Sequence, residues 1–321
     1  MVKVSAPGKL LLFGDHAVVH GRPCIVTAVD HRISVSLEKR VDDKIVVNAP
    51  DLQIENYIVS PNSLGKPHPK EVMFVLTSIL NFFNKYKIKR GLEIKTKSEF
   101  SAKVGLGSSS AVTVSTIKGL AELFGTKMTK RELLDLSYKT VLDIQEVGSG
   151  FDVAAAIYGG TLYFVAKGKT IEPLKIEELP LVVGYTGVKA DTATLVKMVG
   201  RRLKEEPKEI NKIFDKSQEI VNLAKIELEK SNWKEVGELM NLNQDLLRQL
   251  GVSSNELENL VKASLSTGVY GAKLSGAGGG DSMIAITSKE SRSAVKNAIE
   301  KAGGEIVKVK FQAEGVKKEL P

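Results

Sequence analysis

Apolar and polar positions alternate with two rhythms along the 321-residue chain, one of period two and one near 3.6, and the switches between them outline the elements. VKVSAPGKLLLF at 2–13 has the strand rhythm in two pieces divided by Pro7 and Gly8, which predicts two short strands; RISVSLEK and KIVVN continue it. KEVMFVLTSILNFFNKY at 70–86 predicts a helix. GLEIKTKS then sets Leu92, Ile94 and Thr96 against Glu93, Lys95 and Lys97, so one face of that strand is expected to be buried. Beyond GLG at 105–107, Ala111, Val114, Ile117, Ala121 and Phe124 share one helical face, so a loop feeds a helix there. A second helix around RELLDLSYKTVLDIQ ends at the glycines near 148–150, another begins at Val153, and GGTLYFVA reads as a strand. LPLVVGYTG opens a further strand, and helical runs follow in KEINKIFDKSQEIVNLAKIELEK, WKEVGELMNLNQDLLRQLG and NELENLVKASLS. The chain closes as strand, glycine loop, strand, helix and strand, from GAKLSGAGGGDSMIAITS to EIVKVKF.

There is no internal repeat and no low-complexity tract, so the fold comes from these alternating elements. The length points to two packed domains, divided near residue 180 into 1–180 and 181–321. A hydrophobic fraction of 42% supplies apolar surface to offset the entropy of ordering the backbone. No stretch reaches the roughly twenty apolar residues of a membrane helix, and MVKVSAPGK lacks a signal-peptide core, so a cytoplasmic protein is expected. The single cysteine, Cys24, leaves no internal disulfide and no cysteine-based metal cluster. Lysine and arginine (46) exceed aspartate and glutamate (38) by eight, but the basic residues are dispersed among acids and read as solvated surface rather than a nucleic-acid platform.

Four segments carry chemistry. GLGSSSA at 105–111 couples glycines to hydroxyls at a helix start, where unpaired N–H groups and the helix dipole suit phosphate and the serines can meet phosphate or magnesium. Serine is also a favoured N-cap, so an ordinary capped helix accounts for the same residues. It is not a Walker loop, since GxxxxGK[ST] is absent. SGAGGGDS at 275–282 has more glycine than a tight hairpin needs, which favours close approach to a ligand. APGKLLLFGDHAVVHG sets Lys9, Asp15 and His16 beside glycines; His16 can equally be a structural histidine, and Asp15 can cap a helix starting at Ala17. In VGSGFDVAAAIYGG, Asp152 follows a glycine turn, either as an N-cap or as a carboxylate held in a cleft to orient or deprotonate a hydroxyl.

In this order the segments resemble the motifs of the GHMP kinases, the superfamily of galactokinase, homoserine kinase, mevalonate kinase and phosphomevalonate kinase, over nearly the whole chain. APGK with GDHAVVHG resembles the first motif, GLGSSSA the second and KLSGAGGG the third. GDHAVVHG looks most like the mevalonate kinase branch, and YTGVKADT with MNLNQDLLRQLGVS adds to that similarity.

The resemblance implies an α+β, two-domain fold: an N-terminal domain like domain 2 of ribosomal protein S5 and a C-terminal ferredoxin-like domain, with ATP and magnesium between them. It implies phosphoryl transfer from ATP to the 5-hydroxyl of mevalonate, with phosphomevalonate or a sugar as the alternative acceptor. Asp152 would act on the hydroxyl and Lys9 would pair with it; His16, Thr192 and Gly276 would face the acceptor. Gly105, Leu106, Gly107, Ser108, Ser109 and Ser110 would hold the nucleotide, completed by Gly276, Gly278 and Gly279, with Ser109 on the metal. The family's magnesium-binding glutamate, eleven residues before the aspartate, is Val141 here, so Asp143 is the nearest substitute and Glu146 the second. Asp15 stands where glutamate is usual, Ser110 where alanine is and Asp281 where glycine is; GSGFD is closer to phosphomevalonate kinases. Oligomeric state is left open, a homodimer included.

Overall fold

The computed structural model describes residues 1–99 and 105–319. β1 (Val2–Phe13) is one strand where two were expected. Its antiparallel ladder with β2 (Pro23–Lys39) shifts register between Pro7 and Gly8 and again between Leu11 and Phe13. A bulge is where a strand tolerates a proline, so the interruption bends the strand instead of ending it. Next come β3 (Ile45–Ala49), β4 (Ile54–Val59) and α1 (Lys70–Tyr86). β5 (Leu92–Ser98) pairs antiparallel with β2 and parallel with β3, and buries Leu92, Ile94 and Thr96 as its alternation requires.

Three helices follow: α2 (Ser108–Phe124), α3 (Lys130–Gln145) and α4 (Phe151–Tyr158), the last starting two residues before the expected Val153. β6 (Thr161–Val165) joins the N-terminal end of β2, and β7 (Thr170–Pro173) joins β6. Helix α2 lies directly on β1 and β2. The approach is so close that a Cβ at Gly119 would sit 2.3 Å from Leu37 Cδ1.

β8 (Leu181–Tyr185) starts a second sheet. α5 (Thr192–Glu205), α6 (Pro207–Glu229), α7 (Trp233–Gln249) and α8 (Asn255–Leu265) precede β9 (Gly271–Ser275), β10 (Ser282–Ile286), α9 (Arg292–Lys301) and β11 (Glu305–Val307). The strand order β11-β8-β10-β9, antiparallel throughout, is ferredoxin-like. Helix α5 has no counterpart in the sequence reading: Val199 is its only buried residue, so it leaves little apolar period.

The terminal strand read in EIVKVKF stops at Val307. Phe311 bridges to Val29, Glu314 to Gly159, and β12 (Lys317–Lys318) pairs with β1. A segment grouped with 181–321 thus returns to the first sheet, whose order is β12-β1-β2-β5-β3-β4. The two sheets touch where Ser275 Oγ donates to Leu11 O at 2.9 Å and accepts from Leu11 N at 3.1 Å. That contact holds the ends of β1 and β9, and the loops that follow them, side by side.

Candidate active site

The first glycine loop ends at Gly107, which takes φ +79° as the N-cap of α2 with no side-chain cap. Ser108, Ser109 and Ser110 fall inside the first turn, so the serine-capped alternative does not hold and the amides at this end have no serine over them. Strand β1 supports the loop from below: Lys9 N donates to Leu106 O at 2.8 Å. The Lys9 side chain lies across it, and a Cβ at Gly107 would stand 3.0 Å from Lys9 Cε. Its Nζ donates to Gly105 O at 3.1 Å and sits 5.6 Å from the centre of the Phe151 ring. Burial lowers the Lys9 pKa, and the nearby charges of Asp152, Asp281 and Asp15 oppose that shift.

Asp152 is the second residue of α4, whose N-cap is Gly150 at φ +90°, so it is no cap. Its Oδ2 accepts from Ser110 Oγ at 2.6 Å, and its Oδ1 accepts from Val153 N at 3.1 Å. Ser110, expected on the nucleotide, is 1% exposed and its hydroxyl is directed at Asp152. Lys9 and Asp152 influence each other through charge, while the Lys9 hydrogen bond goes to Gly105. The turn before α4 is fixed by Tyr138, whose hydroxyl donates to Gly148 O at 2.9 Å.

Asp15 also caps nothing; the turn at Ala17–His20 has His16 at its N-cap position with φ +58°. Instead Asp15 is buried, with Oδ2 2.7 Å from Lys273 Nζ and Oδ1 accepting from Gly276 N at 2.7 Å. Lys273 was not anticipated. Its side chain is 0% exposed, and burial lowers its pKa against the opposing pull of Asp15. The one signal in sequence was a lysine amid the apolar residues of GAKLS. His16 is buried as well, and its Nε2–H donates to Ala277 O at 2.8 Å. Burial lowers the His16 pKa, which leaves the ring neutral near pH 7.

In the third-motif loop, Gly276 takes φ +105° and faces open space. Gly278 and Gly279, expected on the nucleotide, pack against the chain after α7: a Cβ at Gly278 would lie 2.1 Å from Val252 O, and Gly279 N donates to Val252 O at 2.7 Å. Asp281 adopts φ +56°, and its Oδ1 accepts from Ala190 N at 3.1 Å. Its carboxylate lies against the first loop, where a Cβ at Gly105 would meet Oδ2 at 2.7 Å. Burial raises the Asp281 pKa. This contact brings the 186–191 segment to the first glycine loop, and Thr192, exposed, opens α5 immediately after it.

Asp143 is drawn elsewhere: its Oδ2 accepts from Asn81 Nδ2 at 2.8 Å on α1 and from Lys139 Nζ at 2.5 Å. Glu146 ends α3 at φ +62° and reaches Lys197 Nζ at 3.4 Å. Among the described residues no group of three or more His, Cys, Asp or Glu is gathered to hold a metal. The oxygen donors beside the loop, the Ser109 hydroxyl and the carboxylates of Asp152 and Asp281, suit magnesium, which takes one or two carboxylates and completes its octahedron with substrate phosphates and water. Cys24 is buried, and burial raises its thiol pKa well above the usual value, so it is an inert core residue. Among the described residues no helix is long and apolar enough to cross a membrane.

Comparison with known proteins places this two-sheet chain, with its uncapped glycine-to-helix loop, among the small-molecule kinases. The family model for the GHMP kinases N terminal domain matches residues 73–160, and the model for GHMP kinases C terminal matches 224–305. The chain belongs to the GHMP kinases and is an enzyme of that ATP-using family. Within it the chain is most like the mevalonate kinases. Mevalonate kinase of Thermococcus sibiricus is 37% identical over 98% of this chain and 98% of its own length. The crystal structure of Methanococcus jannaschii mevalonate kinase matches with a TM-score of 0.83 and 25% identity over 97% of this chain and 98% of that one. The structure of L. major mevalonate kinase in complex with R-mevalonate matches with a TM-score of 0.78 and 26% identity, covering 98% and 96%.

Proposed function

We propose that this kinase transfers the γ-phosphate of ATP to the 5-hydroxyl of mevalonate, giving 5-phosphomevalonate and ADP. The observation that carries the reading is the joining of two helix N-termini by the 2.6 Å Ser110–Asp152 hydrogen bond, with Lys9 alongside. Phosphoryl transfer depends mainly on in-line positioning and charge stabilisation, and a lysine beside two adjoining helix N-termini supports a reading of that kind. Gly105, Leu106, Gly107, Ser108 and Ser109 offer backbone N–H groups and hydroxyls to the phosphates, aided by the α2 dipole. Lys9 offsets charge that develops on the transferred group. Asp152 accepts a hydrogen bond from the acceptor hydroxyl and takes its proton as the new oxygen–phosphorus bond forms and the bond to the leaving ADP oxygen breaks. His16, Gly276 and Thr192 face the acceptor.

Magnesium bound with the nucleotide would neutralise phosphate charge; Ser109 would be its protein ligand, and Asp152 and Asp281 support that role better than Asp143, whose carboxylate is bonded to Asn81 and Lys139. Mevalonate is favoured as acceptor because the relatives at 37% identity carry that name and a structural neighbour was solved with R-mevalonate. A coupled ADP-release assay across mevalonate, phosphomevalonate, diphosphomevalonate, galactose and homoserine tests this. Turnover with mevalonate at least tenfold above the others supports the proposal, and preference for another alcohol overturns it.

A further inference from the structure

We propose that Ser110 is the positioning residue for the Asp152 carboxylate, an inference that rests on the reading of Asp152 as the group that handles the acceptor hydroxyl. Three observations carry it. The Ser110 hydroxyl has one proton to donate, and the 2.6 Å bond directs it to Asp152 Oδ2. Ser110 is 1% exposed, so little of it is open to solvent and its hydroxyl is directed inward at Asp152. The neighbouring cation acts on Asp152 through charge, while its hydrogen bond goes elsewhere: Lys9 Nζ bonds the Gly105 carbonyl.

Asp152 turns about two side-chain bonds, and a carboxylate at a helix start can swing toward the free amides of its own first turn. Oδ1 is already inclined that way, at 3.1 Å from Val153 N. The Ser110 bond fixes Oδ2, and with it the carboxylate plane, while each oxygen keeps lone-pair capacity for the incoming hydroxyl. Because Ser110 sits in the first turn of α2 and Asp152 in the first turn of α4, the bond also sets the carboxylate relative to the loop that would hold the phosphates. Misplacing a reacting group by about 1 Å can cost on the order of 100-fold in rate.

The test is a cycle of Ser110→Ala and Asp152→Ala, measured by steady-state kinetics, by single turnover with enzyme in excess, and by calorimetric ATP binding. Ser110→Ala is expected to lower kcat by about 10- to 100-fold, leave the ATP Kd within about twofold, and add less than about twofold to the loss in Asp152→Ala. Ser110→Thr, which keeps the hydroxyl, should recover most of kcat once its melting temperature shows an intact fold. An unchanged kcat in Ser110→Ala overturns the inference, as does weakened ATP binding, or a loss of equal size when Asp152 is already gone. Near-normal turnover in Asp152→Ala overturns the underlying reading instead, so the two failures are told apart.

Discussion

Replacing Lys273 by methionine is expected to destabilise the protein far more than removing any surface cation. Both members of the Lys273–Asp15 pair are 0% exposed at the side chain and lie 2.7 Å apart. Methionine keeps the stem but removes the ammonium, leaving Asp15 buried with the Gly276 amide as its remaining hydrogen bond and Lys9 as a cation that acts on it through charge alone. Breaking a buried pair on one side costs about 3–5 kcal/mol, because the remaining charge is left buried without its ion-pair partner. At about 2 °C per kcal/mol for a chain of this size, the melting temperature should fall by roughly 6–10 °C.

Differential scanning calorimetry of three variants would test the reasoning. Lys197→Met, which removes a partner of Glu146 in a pair whose side chains are 61% and 76% exposed, should change stability by less than about 0.5 kcal/mol. Asp15→Asn with Lys273→Met removes both charges while retaining an acceptor for Gly276 N, and should recover most of the loss. A Lys273→Met variant within about 1 kcal/mol of the parent, or a double variant no more stable than the single one, would refute this account of the pair.

Gly278→Ala should cost at least about 1–2 kcal/mol, since its φ is +80° and the added methyl would meet Val252 O at 2.1 Å; chemical denaturation with an unchanged midpoint would contradict the packing role. Burial lowers the His16 pKa, so the unfolded chain gains a proton first as the pH falls below its ordinary value of 6.5. Stability should therefore drop below that pH by up to about 1.4 kcal/mol per unit until the folded ring itself titrates, and His16→Gln should flatten this slope in urea titrations between about pH 5 and 7. Ser109→Ala should raise the magnesium concentration needed for half-maximal turnover severalfold; an unaltered magnesium response would remove Ser109 from the metal.

Much of this architecture is legible in the chain because burial imposes period. α1 is read at its observed bounds of Lys70–Tyr86, and β5 shows its buried face as Leu92, Ile94 and Thr96. α5 is missed for the opposite reason, having only Val199 buried. Pro7 looks like a break because sequence carries no sign that β2 will accept a register shift beside it. Within the site, short-range signals point to Lys9, the glycine loop and Asp152. The partners that hold them are remote in sequence: Ser110 is 42 positions from Asp152, and Asp15 is 258 from Lys273. Asp143 is chosen by spacing alone, and Asn81 from another helix takes its carboxylate. Sequence also carries no sign that Val252 packs against Gly278 and Gly279, since glycine looks alike whether backbone or ligand comes close.

The most direct measurement is a crystal structure of the complex with a non-hydrolysable ATP analogue, magnesium and R-mevalonate. The account predicts the triphosphate over Gly105–Ser109, with the 5-hydroxyl of mevalonate at about 2.6–3.2 Å from the Asp152 carboxylate and in line with the γ-phosphorus. A nucleotide seated away from that loop, or an acceptor hydroxyl beyond reach of Asp152 with both ligands bound, would contradict it.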